Sequence, residues 1–404
     1  MVKKTSDLID NLDVVLVSTN DPSGGGFADN IRFVDGFFSF SDATGFAFLN
    51  LNLDASRSKT SEMDDPFEIN FLNRRLSKHC FDLAFDVEHN YSVSVNLSWL
   101  VTGNKKFDKI NKSDLNLYTE EWVCSVKQRL YDRIVECNLD HIFGSTETVL
   151  YVMLESEKNG IYRTLANKSP RLLSELRDWA LSSSAFFGGR DNDSFNVVFH
   201  YRIGDTTVFP LENGNYISSW GSKKIPKGRA PVIVESIDDA RYQQYSTKNY
   251  IDFIELIAVS VKKPVNITVI SDGYDRGLKR ISEHVSSLGI TLDQLEYLNS
   301  WSVKNKKNII KEFKDIASKL PVKSVNFFWG EDRENFYRSF GAIINGDIIL
   351  GTGGTFSRVV FEYFNYIENS LFFKIDSSSS FKKAVDVFKF NYTSDTINNL
   401  EKSS

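Results

Sequence analysis

Cysteine is scarce in this chain: Cys80, Cys124 and Cys137 are the three among 404 residues. An odd, scattered set makes no disulfide framework, and without a Cys-x-x-Cys pair there is no structural zinc motif. Histidine is almost as sparse. His79, His89, His141, His200 and His284 show no metal-ligand spacing, so no metal is expected. No run of about 18 apolar residues occurs, so no transmembrane helix is expected. Met1-Val2-Lys3-Lys4 leads into no apolar stretch of signal-peptide type, and the expectation is a cytoplasmic protein. A basic surplus is missing as well: 48 Lys and Arg against 53 Asp and Glu leave a net charge of -5. That balance argues against a nucleic-acid binder, because phosphate backbones select basic surfaces. It leaves room for a local cationic site.

What the chain does have is apolar mass. Hydrophobic residues make up 41% and there are 32 Phe, ample for large cores. The length suits two or three domains. Asp13 to Thr19 reads as a buried strand, followed by a loop with Gly24-Gly25-Gly26 and a helix over Phe27 to Thr44. Phe46 to Leu53, Tyr91 to Leu97 and Thr148 to Leu154 read as further strands. Ser113 to Asn138, capped by Ser113 or Asp114, and Pro170 to Ser184 read as helices. Asp54 to Pro66 reads as a long surface loop.

A cleaner alternation of strands and helices follows. Strands are expected over Phe195 to Tyr201, Pro231 to Glu235, Val265 to Ile270, Ser324 to Trp329, Gly346 to Leu350 and Leu371 to Ile375. Helices are expected over Tyr250 to Val261, Asp275 to Leu288, Ile309 to Leu320, Glu331 to Phe340 and Phe356 to Ile367. This pattern predicts an α/β fold with parallel, doubly wound sheets. The domains are placed at 1–190 and 191–376, with a C-terminal helix and a frayed tail over 377–404.

Three strand ends in the second half turn abruptly polar: His200 to Asp205, Ser271 to Asp275 and Gly351 to Ser357. Parallel strands bring such turns to one edge of the sheet, where open α/β folds bind ligands. Arg202 carries a permanent charge and a fork suited to phosphate. Gly351-Thr352-Gly353-Gly354-Thr355 before a helix offers free backbone amides and hydroxyls, an anion cradle. Asp272 is placed to accept hydrogen bonds from the same ligand. Each feature alone also fits a plain turn or a surface ion pair; together on one edge they point to a nucleotide-type site.

His200-Tyr201-Arg202-Ile203-Gly204-Asp205 resembles the His-x-Arg-x-Gly-Asp motif of the fucosyltransferase superfamily, the α1,2-, α1,6- and protein O-fucosyltransferases. The late turn ending in Thr355-Phe356-Ser357 resembles that family's small-residue turn before Ser/Thr-Phe-Ser. Ile270-Ser271-Asp272 resembles its Ser-Asp strand end, and Gly26-Phe27-Ala28-Asp29-Asn30 its N-terminal Gly-x-Gly-Asn-Gln loop. Here Ala28 stands for the second glycine, Asp29 for the asparagine, and Ile203 where many members have a second arginine.

The resemblance implies a GT-B architecture, two Rossmann-like domains facing a cleft, with 1–190 as the acceptor domain and 191–376 as the nucleotide-sugar donor domain. It also implies an inverting, metal-independent transfer of fucose from GDP-fucose to a hydroxyl of a glycan acceptor. The GDP-sugar is then a co-substrate and no cofactor is needed. In that scheme Arg202 stabilises the leaving diphosphate and Asp29 is the candidate base. Donor contacts fall to His200, Gly204, Asp205, Asp272, Gly353, Gly354, Thr355, Phe356, Ser357, Gly26 and Asn30. Two alternatives stay open: a GT-B transferase using GDP-mannose or a UDP-sugar, and a non-catalytic nucleotide-sugar-binding homologue.

Overall fold

The computed structural model describes residues 7–18, 27–50, 89–104, 116–144, 148–155, 160–184, 187–203, 206–224, 230–240, 247–330, 332–352, 356–375 and 378–392. The chain divides into two compact units, Met1–Leu176 and Arg177–Ser404. The division falls inside the helix Pro170–Ser182, upstream of the boundary expected near residue 190. Trp179 accounts for it. Its ring centroid lies 6.1 Å from that of Phe340 and 6.0 Å from that of Phe364, so the helix's second half packs with the second unit.

The first unit is built on a four-stranded parallel sheet in the order β2-β1-β4-β3. Its strands are β1 (Asp13–Ser18), β2 (Ala47–Asn50), β3 (His89–Val95) and β4 (Thr148–Leu154). Val14, Val15, Leu16 and Val17 of β1 are all buried, as expected of a strand covered on both faces. The helix Phe27–Thr44 follows the sequence expectation in both bounds. Gly36 lets it approach the helix Gly160–Leu165, because a Cβ at Gly36 would collide with the Tyr162 carbonyl. Asp35 on the same helix is fully buried, and its carboxylate accepts from the amides of Lys168 and Ser169, both at 2.8 Å.

Two expectations for this unit change. The helix read from Ser113 begins instead at Glu120, capped by Thr119, whose hydroxyl accepts from the Trp122 amide at 3.2 Å. Ser113 and Asp114 lie outside the described residues, as does the loop Asp54 to Pro66. The strand read to Leu97 ends at Val95. There the Asn96 side chain caps a short helix, Leu97–Thr102.

The second unit is built on five parallel strands in the order β10-β9-β5-β11-β12. These are β5 (Phe195–His200), β9 (Val265–Ser271), β10 (Val322–Trp329), β11 (Ile348–Thr352) and β12 (Leu371–Ile375). Successive side chains alternate between two apolar layers. Val197, Phe199, Ile348 and Leu350 join one core with Phe253, Ile257, Ile309 and Phe313 from the helices Thr247–Ser260 and Leu292–Ala317. Val198 and Ile349 take the other face, where both approach Gly346. Each unit is therefore a Rossmann-like α/β layer structure, as the sequence pattern predicts.

Pro231 to Glu235 does not join the parallel sheet. It forms β8 (Val232–Val234), which pairs antiparallel with β7 (Tyr216–Ser218), itself antiparallel to β6 (Val208–Pro210). This small sheet lies in the chain between β5 and the helix Thr247–Ser260. The C-terminal helix Ser378–Tyr392 is also no separate element: Ala384 and Phe388 belong to the second unit's core. Among the described residues, no helix is long and apolar enough to cross a membrane.

Candidate functional site

The chain runs from β5 outward to β9 and β10, then returns to the other side of β5 for β11 and β12. The direction of winding thus reverses between β5 and β11. In open α/β sheets ligands bind at that reversal, beyond the carboxyl ends of the strands. The three strand ends singled out in the sequence are those of β9, β5 and β11, neighbours at the centre of this sheet. His200 lies in register with Ile270 on one side and Gly351 on the other.

His200 Nδ1 and Ser357 Oγ share a hydrogen bond of 2.9 Å across the reversal. Both residues are buried, Ser357 completely. Ser357 sits in the first turn of the helix Phe356–Phe364, so the bond ties the end of β5 to the helix start after β11. Gly351 makes room for it. A Cβ there would stand 2.8 Å from Ser357 Oγ and 2.7 Å from Phe372 Cζ. Phe356 packs edge-on towards the His200 ring, with centroids 6.2 Å apart. The imidazole is neutral: burial, and secondly the charge of Arg202, push its pKa down to about 3.

Arg202 follows directly and is half-buried. The segment that carries it is fixed on both sides. Upstream, His200 is held by Ser357, and the Tyr201 amide donates to the Ile270 carbonyl at 2.9 Å. Downstream, the Ile203 amide donates to Asp272 Oδ1 at 3.0 Å, and the Ile203 side chain is 0% exposed. Asp272 therefore braces the arginine's own backbone, a role the sequence did not suggest. A guanidinium on so fixed a segment needs little reorganisation to meet an anion.

Gly273 beyond Asp272 is a second close approach, with φ of +74°. A Cβ on it would lie 3.1 Å from Trp329 Nε1 at the end of β10. Trp329 was not picked out by any motif, yet it closes this side of the strand-end row. Its ring lies within 6.5 Å, centroid to centroid, of the ring of Tyr201.

The remaining sequence-selected residues divide into two sets. Gly26, Gly204, Asp205, Gly353, Gly354 and Thr355 lie outside the described residues, and so does the side chain of Asn30. Asp29 belongs to the first unit, in the first turn of Phe27–Thr44, where it pairs with Arg163 Nη2 at 3.4 Å. Among the described residues, no group of three or more His, Cys, Asp or Glu side chains gathers as a metal set.

No protein-family model and no curated protein matches the sequence. Among solved structures the chain is similar to POFUT1 in complex with GDP, at 10% identity and a TM-score of 0.31, over 91% of this chain and 100% of that one. It is also similar to an Arabidopsis thaliana FUT1 mutant in complex with GDP, at 10% identity and a TM-score of 0.30, over 92% of this chain and 72% of that one.

Proposed function

We propose that the chain is a glycosyltransferase that holds a nucleoside-diphosphate sugar at the β5/β11 reversal of its second unit. The observation that carries this reading is the fixed Arg202 segment, clamped by the His200–Ser357 bond on one side and the Ile203–Asp272 bond on the other. Together with the His-x-Arg-x-Gly-Asp resemblance, it favours GDP-fucose as donor and a glycan hydroxyl as acceptor, with inversion at the transferred carbon.

In this reading, the bond from the sugar's anomeric carbon to the β-phosphate oxygen breaks as positive charge grows on the sugar ring. Negative charge collects on the departing diphosphate, and Arg202 stabilises it where it develops. Main-chain amides at the start of Phe356–Phe364 add donors, because the first amides of a helix have no partners within it. His200 is neutral and buried, so its part is to hold Ser357 and that helix start in place. The acceptor hydroxyl oxygen bonds to the anomeric carbon on the face opposite the departing diphosphate and loses its proton late, and Asp29 is the candidate to take that proton.

A thermal-shift panel of GDP, UDP and ADP tests the nucleotide. A ligand at a hundred times its dissociation constant stabilises by about 2.7 kcal/mol. GDP is expected to raise the melting temperature and the other two are not. A response to UDP instead points to a UDP-sugar donor, and no response to any of the three removes the nucleotide site.

A further inference from the structure

The first unit has a pocket of about 160 Å³ at the carboxyl end of β3, lined by Ser94, Asn96, Trp99, Arg133, Glu136 and Glu155 among others. It is well below the roughly 300–1,000 Å³ of pockets that enclose a whole drug-sized ligand, and fits one ring rather than a chain. We propose that this pocket is a subsite for a single neutral pyranose of a glycan acceptor. As an acceptor subsite it rests on the glycosyl-transfer reading; as a saccharide site it is tested by binding alone.

Its walls are built rather than incidental. Among the described residues β3 is an edge strand, and Arg133 closes its end by donating from Nε to the Ser94 carbonyl at 3.1 Å. The same guanidinium pairs through Nη1 with Glu136 at 3.0 Å, an exposed pair along the helix Glu120–Glu136. On the opposite flank the helix Leu97–Thr102 starts on Asn96, whose Oδ1 accepts from the Trp99 amide at 2.9 Å. Leu97, Leu100 and Val101 of that helix are buried, whereas Trp99 is only half-buried and left lining the pocket. The Glu155 amide donates to the Val95 carbonyl at 2.9 Å and continues the ladder past β4, which brings the exposed Glu155 to the rim.

The chemistry selects the ligand class. A pyranose has a face of C–H groups that suits an aromatic ring and vicinal hydroxyls that suit carboxylates and amides. Trp99 supplies the ring; Glu136, Glu155 and Asn96 supply the polar groups. Charge narrows it further. Arg133 balances Glu136, and Glu155 leaves the pocket negative, which disfavours uronic acids, sialic acids and phosphates. A cation would meet the guanidinium of Arg133.

Saturation-transfer difference NMR on the full chain tests this directly. The probes are the methyl pyranosides of glucose, galactose, mannose and N-acetylglucosamine, each at about 10 mM, ten times a 1 mM dissociation constant. At least one neutral pyranoside is expected to show transfer, and galacturonic acid is not. Trp99→Ala is expected to weaken binding at least tenfold. Glu155→Gln, which keeps shape and fold, is expected to do the same, with the thermal response to GDP unchanged in both. Absence of transfer from all four pyranosides overturns the subsite, as do variants that bind like the wild type. A chain that binds a pyranoside through Trp99 but does not respond to GDP upholds the saccharide site and removes the transferase reading. A chain that responds to GDP but to no pyranoside does the reverse.

Discussion

His200 and Ser357 are 157 residues apart in the chain and joined by one buried hydrogen bond of 2.9 Å. That bond spans the place where the second unit's sheet reverses its winding, and Arg202 sits two residues beyond it. The geometry makes Gly351 indispensable. Gly351→Ala introduces a Cβ that collides with both Ser357 Oγ and the Phe372 ring. Overpacking of this kind costs about 1–3 kcal/mol. The melting temperature is expected to fall and the GDP response to weaken, because Ser357 is displaced from His200. A variant with wild-type stability and GDP response would show that the glycine is only a convenient turn residue.

Burial gives His200 a readable pH signature. Its folded pKa is about 3, against about 6.5 in the unfolded chain. Between those values the unfolded state binds a proton that the folded state does not. The stability from keeping this imidazole neutral is therefore complete above pH 6.5 and is lost as pH falls from 6.5 through about 3. The slope is about 1.4 kcal/mol per pH unit for one proton. Between pH 6 and pH 4 the pH dependence of stability from urea unfolding is expected to be steeper in the wild type than in His200→Gln by close to this one-proton slope. Equal slopes in the two proteins would mean that the imidazole is not held neutral by the fold.

Much of the second unit is legible in the sequence. A fully buried parallel strand is an apolar run, and its end is marked by an abrupt change to polar residues or glycine. Phe195–His200 and Leu371–Ile375 announce themselves in this way. The antiparallel trio does not. Its strands are three residues each and lie among glycines and lysines, too short for an alternation to register. The sequence pattern predicts the helix Leu292–Ala317 only from Ile309, because its first half exposes Asp293, Lys304 and Val303 and lacks a continuous apolar stripe. Its start was nevertheless written in the chain: Thr291 and Gln294 form a reciprocal capping box. At the site, residue types were legible and partners were not. Asp272 reads as a ligand-binding carboxylate from its place at a strand end, whereas its bond to the Ile203 amide is a pairing across 69 positions that no local pattern encodes.

Asp35 gives a test of the first unit by itself. Its carboxylate accepts from the Lys168 and Ser169 amides and from the Ser39 hydroxyl at 3.2 Å, the last two of these bonds buried. Asp35→Asn replaces one acceptor oxygen by an NH2 group that faces a donor. A buried group left unsatisfied costs about 1–3 kcal/mol. The stability measured by urea unfolding is expected to fall by that amount, whereas Asp132→Asn, at an exposed carboxylate that accepts from Gln128 Nε2 at 2.8 Å, should cost less than about 1 kcal/mol. Equal effects from the two substitutions would contradict the buried role.

The proposed chemistry assigns the leaving diphosphate to Arg202 and backbone amides. Turnover of GDP-fucose, measured as released GDP, is therefore expected to be unchanged by excess EDTA. Strict dependence on Mn²⁺ or Mg²⁺ would remove the metal-free route.

The most direct measurement is the turnover number of Arg202→Ala beside its melting temperature. Losing one preorganised donor costs on the order of a hundredfold or more in rate. The account predicts a drop of that size with the fold intact, and turnover equal to wild type in a folded Arg202→Ala protein would contradict it.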